Sequence, residues 1–179
     1  MIKRAYTLND ISPYMEQLVK IYVQCFSEFP WIRHINPDDV KDMLKKDISY
    51  PRQIFLMFLD KGILAGAALA CPIKYHPHIK KFISQEIWED TICFSRIFVS
   101  QEFRNNGVGK LLHAERMLAS IDEGFKFAVQ RTNPNSKMYP IILQTGFKPI
   151  AECQVWHPRK IGSEIINMPD SRVISLKKL

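Results

Sequence analysis

Residues 92–121, ICFSRIFVSQEFRNNGVGKLLHAERMLASI, constrain the fold more than any other part of the chain. An apolar run closes on Val99, and Ser100-Gln101-Glu102 breaks it. Arg104-Asn105-Asn106-Gly107-Val108-Gly109 then makes a tight turn. Beyond the turn Val108, Leu111, Ala114, Leu118 and Ile121 recur at steps of three and four, which places them on one face of a helix. The expectation is a buried strand, a glycine turn and an amphipathic helix.

Such a turn favours an anion. The first amides of a helix have no intrahelical partner, and the helix dipole adds about half a positive charge there. Glycine lets the backbone approach a ligand with no Cβ in the way. Phosphate or pyrophosphate is the natural guest, and Arg104 and Lys110 add formal charge at the same place. The string is neither a P-loop, which needs Gly-Lys-Ser/Thr, nor a dinucleotide fingerprint, which needs Gly-x-Gly-x-x-Gly.

A chain of 179 residues, 46% hydrophobic and 24% charged, fits one globular domain over residues 1–179. Its net charge of +7 suits an anionic ligand or partner, but the charge is scattered in pairs such as Lys45-Lys46 and Lys80-Lys81. Cys25, Cys71, Cys93 and Cys153 stand far apart with no Cys-x-x-Cys pair, which reads as free thiols in a reducing compartment. His76-Pro77-His78 has no third ligand placed by any motif, so no metal site is expected. Met1-Ile2-Lys3-Arg4 runs straight into polar residues instead of an apolar signal core. The longest uncharged apolar stretch, residues 62–73, is too short to span a bilayer. A cytoplasmic protein without membrane association is the expectation.

In order, residues 2–7 predict a first strand, and Ser12-Pro13 predicts a cap and first helical position. Ile11, Tyr14, Met15, Leu18, Tyr22, Cys25 and Phe26 share the face of the helix that follows. Asn36-Pro37 repeats the cap signal for a helix whose stripe is Val40, Met43, Leu44 and Ile48. An aromatic loop, residues 29–34, separates the two. Residues 53–59 and 63–71 form a hairpin around Asp60-Lys61-Gly62. Ile79, Phe82, Ile83 and Ile87 have helical spacing, which predicts a short helix within residues 75–90, as a lid or a cap over the sheet edge. Residues 125–132 read as a strand, followed by a short helix ending at the cap glycine Gly146. Residues 148–157 and 172–178 read as the last two strands, with a Pro- and Gly-bearing loop between them.

The strand ending in Val99 and the Arg104-x-x-Gly107-x-Gly109 turn resemble the acetyl-CoA signature of the GCN5-related N-acetyltransferases (GNAT). Asn135 eleven residues before Gly146-Phe147 resembles that family's second motif. The resemblance covers essentially the whole chain and implies an α/β (α+β) fold, a mixed central sheet of about seven strands flanked by about four helices. It implies acetyl-CoA or another acyl-CoA as co-substrate and an amine acceptor, with Ile97, Phe98 and Val99 holding the pantetheine and thioester carbonyl. The amides of Arg104, Asn105, Asn106, Gly107, Val108, Gly109 and Lys110 would hold the pyrophosphate, and Asn135 would meet the pantetheine arm. The aromatic loop would border the acceptor site, or Trp31 would simply pack on the core.

Acyl transfer to an amine needs a neutral nucleophile, donors for the oxyanion and a proton for the leaving thiolate. The family's usual acid is a Tyr seven residues after the motif Asn, where this chain has Ile142. Tyr139, one turn earlier, is the candidate acid by proximity, with Pro140 disfavouring helix there and packing as the alternative role. No base is assigned, since the strand carries no carboxylate and Glu86 and Glu89 only precede it. Ser95-Arg96-Ile97-Phe98-Val99 also resembles a stretch of acyl-homoserine-lactone synthases, with Cys93 in place of their Glu. Two alternatives therefore stand beside acetyl transfer. One is a longer acyl donor, whose tunnel residues 54–59 and 79–88 would line. The other is a CoA-sensing or RNA-binding module without turnover. Polyamine, antibiotic, amino acid and protein N-terminus all stay open as acceptors, as does a homodimer.

Overall fold

The hairpin at residues 54–72 lies within the sheet, with strands added on both sides. β2 (Ile54–Asp60) and β3 (Ile63–Pro72) meet at Lys61 and Gly62, both at positive φ (48° and 84°), the conformation that matches the twist of paired strands. In this computed structural model, which describes residues 1–179, β1 (Ile2–Ala5) adds antiparallel to β2. β4 (Thr91–Val99) adds antiparallel to β3, and β5 (Phe127–Thr132) runs parallel to β4. β6 (Lys148–Ile161) and β7 (Glu164–Lys178) complete a seven-stranded sheet in the order β1-β2-β3-β4-β5-β7-β6. The sheet is mixed, as expected.

Both faces of β2 and β3 are covered, which is why they read as continuous apolar runs and not as alternation. Phe55, Met57 and Leu69 pack with Leu18, Tyr22 and Leu44 from the helices α2 (Met15–Ser27) and α3 (Pro37–Ser49). Ile54, Leu56 and Ala68 point the other way, onto Leu112 of α5 (Val108–Asp122) and Ile142 of α6 (Met138–Gln144). Each fully buried leucine contributes about 1.5–3 kcal/mol. Four helices longer than one turn thus flank the sheet, and α1 (Leu8–Ile11) and α4 (Pro77–Lys80) are single turns.

Local capping follows the sequence at two helix ends. Asn36 Oδ1 accepts the Asp38 amide at 3.0 Å with Pro37 in the first helical position. Gly146 (φ 89°) ends α6 in a Schellman arrangement, its amide on Leu143 O and that of Phe147 on Ile142 O.

Elsewhere the expectations are corrected. The first helical segment starts at Leu8, before Ser12-Pro13, because Thr7 caps it and Asp10 accepts the Thr7 amide at 3.0 Å. Residues 75–90 do not form one amphipathic helix. Proline and short 3₁₀ turns split them, although Ile79 and Ile83 are buried as their spacing implied. β6 and β7 run through the segment expected to be a loop and form one long hairpin turning at Gly162. Pro158 is tolerated because β6 is the edge strand. Finally, α5 buries Val108, Leu112, His113, Arg116 and Ser120, while Leu111 (43% exposed), Leu118 (55%) and Ile121 (49%) face outward. Of the apolar stripe read from the sequence only Val108 packs; the rest of it is not the buried face. The reason lies in the site.

Candidate active site

β4 and β5 pair only from Thr91 with Phe127 to Phe94 with Gln130. Past that point they separate, so residues 95–99 have β3 on one side and no strand on the other. Just there the register of β3 against β4 slips, with Leu69 opposite Arg96 but Ala70 opposite Phe94, which leaves Ser95 as a bulge. Gly66 makes the close approach of β3 to β4 possible: a Cβ on it would lie 2.7 Å from Phe98 O.

The bulge explains α5. Carbonyls freed inside a sheet must find donors. Arg116, buried to 1% exposure, supplies them from Nη1, at 3.1 Å to Leu69 O and 2.8 Å to Arg96 O. Its guanidinium lies 4.1 Å from the Phe94 ring centroid, and its Nη2 donates to His113 Nδ1 at 3.1 Å. His113 Nε2 meets Thr145 Oγ1 at 3.1 Å, whose hydroxyl donates to Ile142 O. Accepting from Arg116 requires a neutral imidazole with its proton on Nε2. Burial, with Arg116 and Lys177 nearby, pulls His113 down to about 3. Burial likewise lowers Arg116 to about 9.

The separated strands open onto a cavity of about 680 Å³. Ile97, Phe98 and Val99 line it from β4, and Gly107, Val108, Gly109 and Lys110 from the start of α5. The turn has the geometry the glycines imply, with Asn105 at φ 63° and Gly107 at φ 79°. The Leu111 amide already bonds Gly107 O, so the amides of Val108, Gly109 and Lys110 are the ones without an intrahelical partner. Asn105 and Asn135 also line the cavity, whereas Asn106 does not. Lys137, which no motif in the sequence marks, brings a further cation to this end.

Arg104 behaves differently from its expected role. Its amide bonds Gln101 O, and its side chain turns back toward α2. There Nη1 meets Glu28 Oε2 at 2.5 Å, Nη2 meets Cys25 Sγ at 3.3 Å, and Nε donates to Val99 O at 3.1 Å. Arg104 therefore ties the end of α2 to the end of β4, and its charge is matched by Glu28. Nothing in the spacing of the motif signals this partner, which lies 76 residues away.

The aromatic loop and β5 also wall the cavity. Phe29, Pro30 and Trp31 line it, as do Arg96 and Arg131. Trp31 both borders the cavity and packs on Phe26, with ring centroids 5.3 Å apart. Arg96 forms an ion pair with Asp47 of α3, where burial pushes the carboxyl up even beside the guanidinium. The hairpin β6–β7 closes on this loop, since the His34 amide donates to Pro158 O at 2.7 Å.

Tyr139 is half-buried on α6 and is not among the residues lining the cavity. Ile142 is, and it is 2% exposed, so an apolar side chain stands at the position where a phenol was sought. Burial pushes the Cys25 thiol up and raises Cys93 to about 12, so neither is an activated nucleophile at neutral pH. None of residues 54–59 or 79–88 lines the cavity; the buried ones belong to the packed cores. The segments that motivated a long acyl donor thus lie outside this cavity. No helix is long and apolar enough to cross a membrane.

No protein-family model matches the sequence, and no curated protein matches it. Solved structures do match over the full length. The ribosomal-protein-alanine N-acetyltransferase of Brucella melitensis superposes with a TM-score of 0.72 at 14% identity, covering 100% of this chain and 99% of the other. An acetyltransferase of the GNAT family from Streptococcus pneumoniae gives 0.67 at 14% identity, with 100% and 99% covered. The PaiA N-acetyltransferase of Thermoplasma acidophilum, solved with coenzyme A, gives 0.62 at 13%, again covering 100% and 99%. With the sheet order, the bulge and the parted β4 and β5, these likenesses establish that the chain carries the GNAT acetyltransferase fold from end to end.

Proposed function

We propose that this protein is an N-acetyltransferase that passes an acetyl group from acetyl-CoA to a primary amine. The observation that carries the reading is the parting of β4 from β5 over a cavity that ends on the open amides of α5. That shape accepts a long anionic thioester. The amides of Val108, Gly109 and Lys110 receive the pyrophosphate, with Lys110 and Lys137 beside it. The free edge of β4 at Ile97–Val99 pairs with the pantetheine, and Asn135 meets the same arm. The crystal structure of the Thermoplasma enzyme with coenzyme A and the Salmonella typhimurium relative solved with acetyl-CoA support this choice of co-substrate.

The amine nitrogen attacks the thioester carbonyl carbon, a C–N bond forms, and the carbonyl oxygen carries the charge toward donors on β4. The intermediate collapses with loss of the C–S bond. The proton released by the amine ends on the coenzyme A sulfur, giving an amide and free thiol. Attack is direct, since the cavity's one thiol, Cys25, is raised and engaged with Val99 O and Arg104. Tyr139 lies outside the lining, so we assign it no proton transfer. Four free cysteines suit work in the cytosol.

The test is a thermal-shift series with CoA, acetyl-CoA, octanoyl-CoA and palmitoyl-CoA, followed by amine-dependent release of CoA. A ligand at 100 times its Kd stabilises the native state by about 2.7 kcal/mol. The shift is expected to peak at acetyl-CoA. A shift growing with chain length would replace acetyl by a longer acyl group, and no shift at all would remove the site.

A further inference from the structure

Around Arg131 and Trp31 the cavity wall and the residues packed behind it carry more guanidinium than carboxylate. Arg131 stands on β5 one residue past Gln130, the last to pair with β4, and lines the cavity with no hydrogen bond or ion pair. Arg172 is paired with Asp170, which also receives Asn133 Nδ2 at 2.8 Å and has Arg159 at 3.8 Å. Trp31 holds two guanidiniums, that of Arg172 at 4.5 Å and that of Arg33 at 5.5 Å from its ring centroid. Arg33 has no carboxylate partner, and its Nε is buried without a hydrogen bond. Arg159 and Arg172 thus share the carboxylate of Asp170, Arg33 and Arg131 have no ion-pair partner, and of the four only Arg131 lines the cavity itself. Arg96 also faces Arg131, but its charge is taken by Asp47. His157 in the same cluster adds no charge at neutral pH, since burial and the neighbouring Arg33 and Arg172 pull it down to about 4. The cluster acts on itself as well: burial and the nearby Arg172 and Arg131 weaken the hold of Arg33 on its proton, to about 10.

A surplus of guanidinium at the cavity wall selects its guest. It repels polycations, which disfavours the polyamine, and any polycationic antibiotic, among the acceptors open at the level of sequence. It binds an oxyanion, and the planar fork of arginine matches a carboxylate in two parallel hydrogen bonds. It also disfavours the ammonium form of the incoming amine, the form that cannot attack.

We propose that the acceptor is a small primary amine bearing a carboxylate, a free amino acid being the simplest, and that Arg131 binds that carboxylate with Arg33 and Arg172 behind it. The inference rests on the acetyltransferase reading above and names its substrate class.

The test compares free amino acids with their decarboxylated counterparts, such as histidine with histamine, lysine with cadaverine and tyrosine with tyramine. Phosphoethanolamine supplies a phosphate in place of the carboxylate. CoA release is expected with at least one amino acid at a kcat/KM 30-fold or more above its decarboxylated partner. Arg131→Gln should raise KM for that amino acid about tenfold, leave acetyl-CoA affinity unchanged and narrow the gap between the partners. Arg131→Lys should recover part of it. Equal or better use of the decarboxylated amines overturns the proposal, and so does preference for phosphoethanolamine. If no amine turns over, binding of N-acetyl amino acids and of the matching neutral N-acetyl amines to the CoA-saturated protein decides. Selective binding of the carboxylated series, lost in Arg131→Gln, supports the assignment; absence of selectivity overturns it. Failure to bind acetyl-CoA at all would sink the acetyltransferase reading instead, and carboxylate binding to the free protein would then decide the role of Arg131.

Discussion

Arg104 Nη1 lies 2.5 Å from Glu28 Oε2, so the arginine of the turn motif is matched by a carboxylate at the end of α2. The two residues clamp the helical layer onto the turn that starts α5. Two roles for Arg104 make opposite predictions. As a free cation for pyrophosphate, it would bind better once Glu28 is neutralised. As a clamp, it loses its hold.

The clamp predicts that Arg104→Ala and Glu28→Gln each weaken acetyl-CoA binding, and that the double variant is no worse than either alone. The coupling expected for a part-exposed pair is about 0.5–1 kcal/mol. Calorimetric titration of the four proteins measures it, and tighter binding by Glu28→Gln would reject the clamp.

Arg116 donates to both carbonyls freed at the bulge, and Ser95 Oγ is a second, longer donor to Leu69 O at 3.3 Å. Arg116→Met keeps much of the volume but leaves Arg96 O without its side-chain donor and Leu69 O with only the longer bond from Ser95. Each orphaned group costs about 1–3 kcal/mol. Urea denaturation should show a loss in that range or above, with Arg116→Lys intermediate, since one ammonium cannot also serve His113.

His113 links stability to pH. Its folded value is near 3 and its ordinary value is 6.5, so between these the unfolded chain binds the extra proton. Stability is therefore intact above about 6.5 and falls with acidification, by about 1.4 kcal/mol per pH unit, or about 2 kcal/mol at pH 5. His76 and His157, both lowered to about 4 chiefly by burial, act in the same direction. Unfolding free energies at pH 7 and pH 5 should differ less in His113→Gln than in the parent, and an unchanged difference would refute the assignment.

Gly66 has no room for a side chain, since its Cβ would meet Phe98 O at 2.7 Å. Gly66→Ala is expected to cost about 1–3 kcal/mol, as overpacking does. Because Phe98 lines the cavity, acetyl-CoA affinity should fall with stability. Thermal melts with and without the ligand separate the two effects.

Tyr139 offers the cleanest negative. Outside the cavity lining, Tyr139→Phe should leave kcat within about twofold, where removal of a general acid costs about 10²–10⁴-fold. Steady-state rates with any accepted amine suffice.

What the sequence determined by itself is what depends on neighbours along the chain. The Lys61-Gly62 hairpin, the Asn36-Pro37 cap, the Gly146 stop and the glycine turn at Gly107 are all set by backbone preferences over a few residues. For the same reason the order of the main strands and helices, and with it the fold, was legible, whereas the start of the first helix, residues 75–90 and the length of the β6–β7 hairpin were not. Tertiary structure decided everything that turns on a partner far away. Whether Leu111 or Leu112 of α5 would face the sheet depended on the bulge at Ser95, whose carbonyls draw Arg116 inward and carry the apolar stripe out to solvent. Arg104 found Glu28 across 76 residues, and Arg131 found itself beside Arg33 and Arg172 with one carboxylate among them. Apolar periodicity reports how a helix could be buried. Which face is buried, and which charges are left over for a ligand, depends on hydrogen-bond and charge balances that close only in three dimensions.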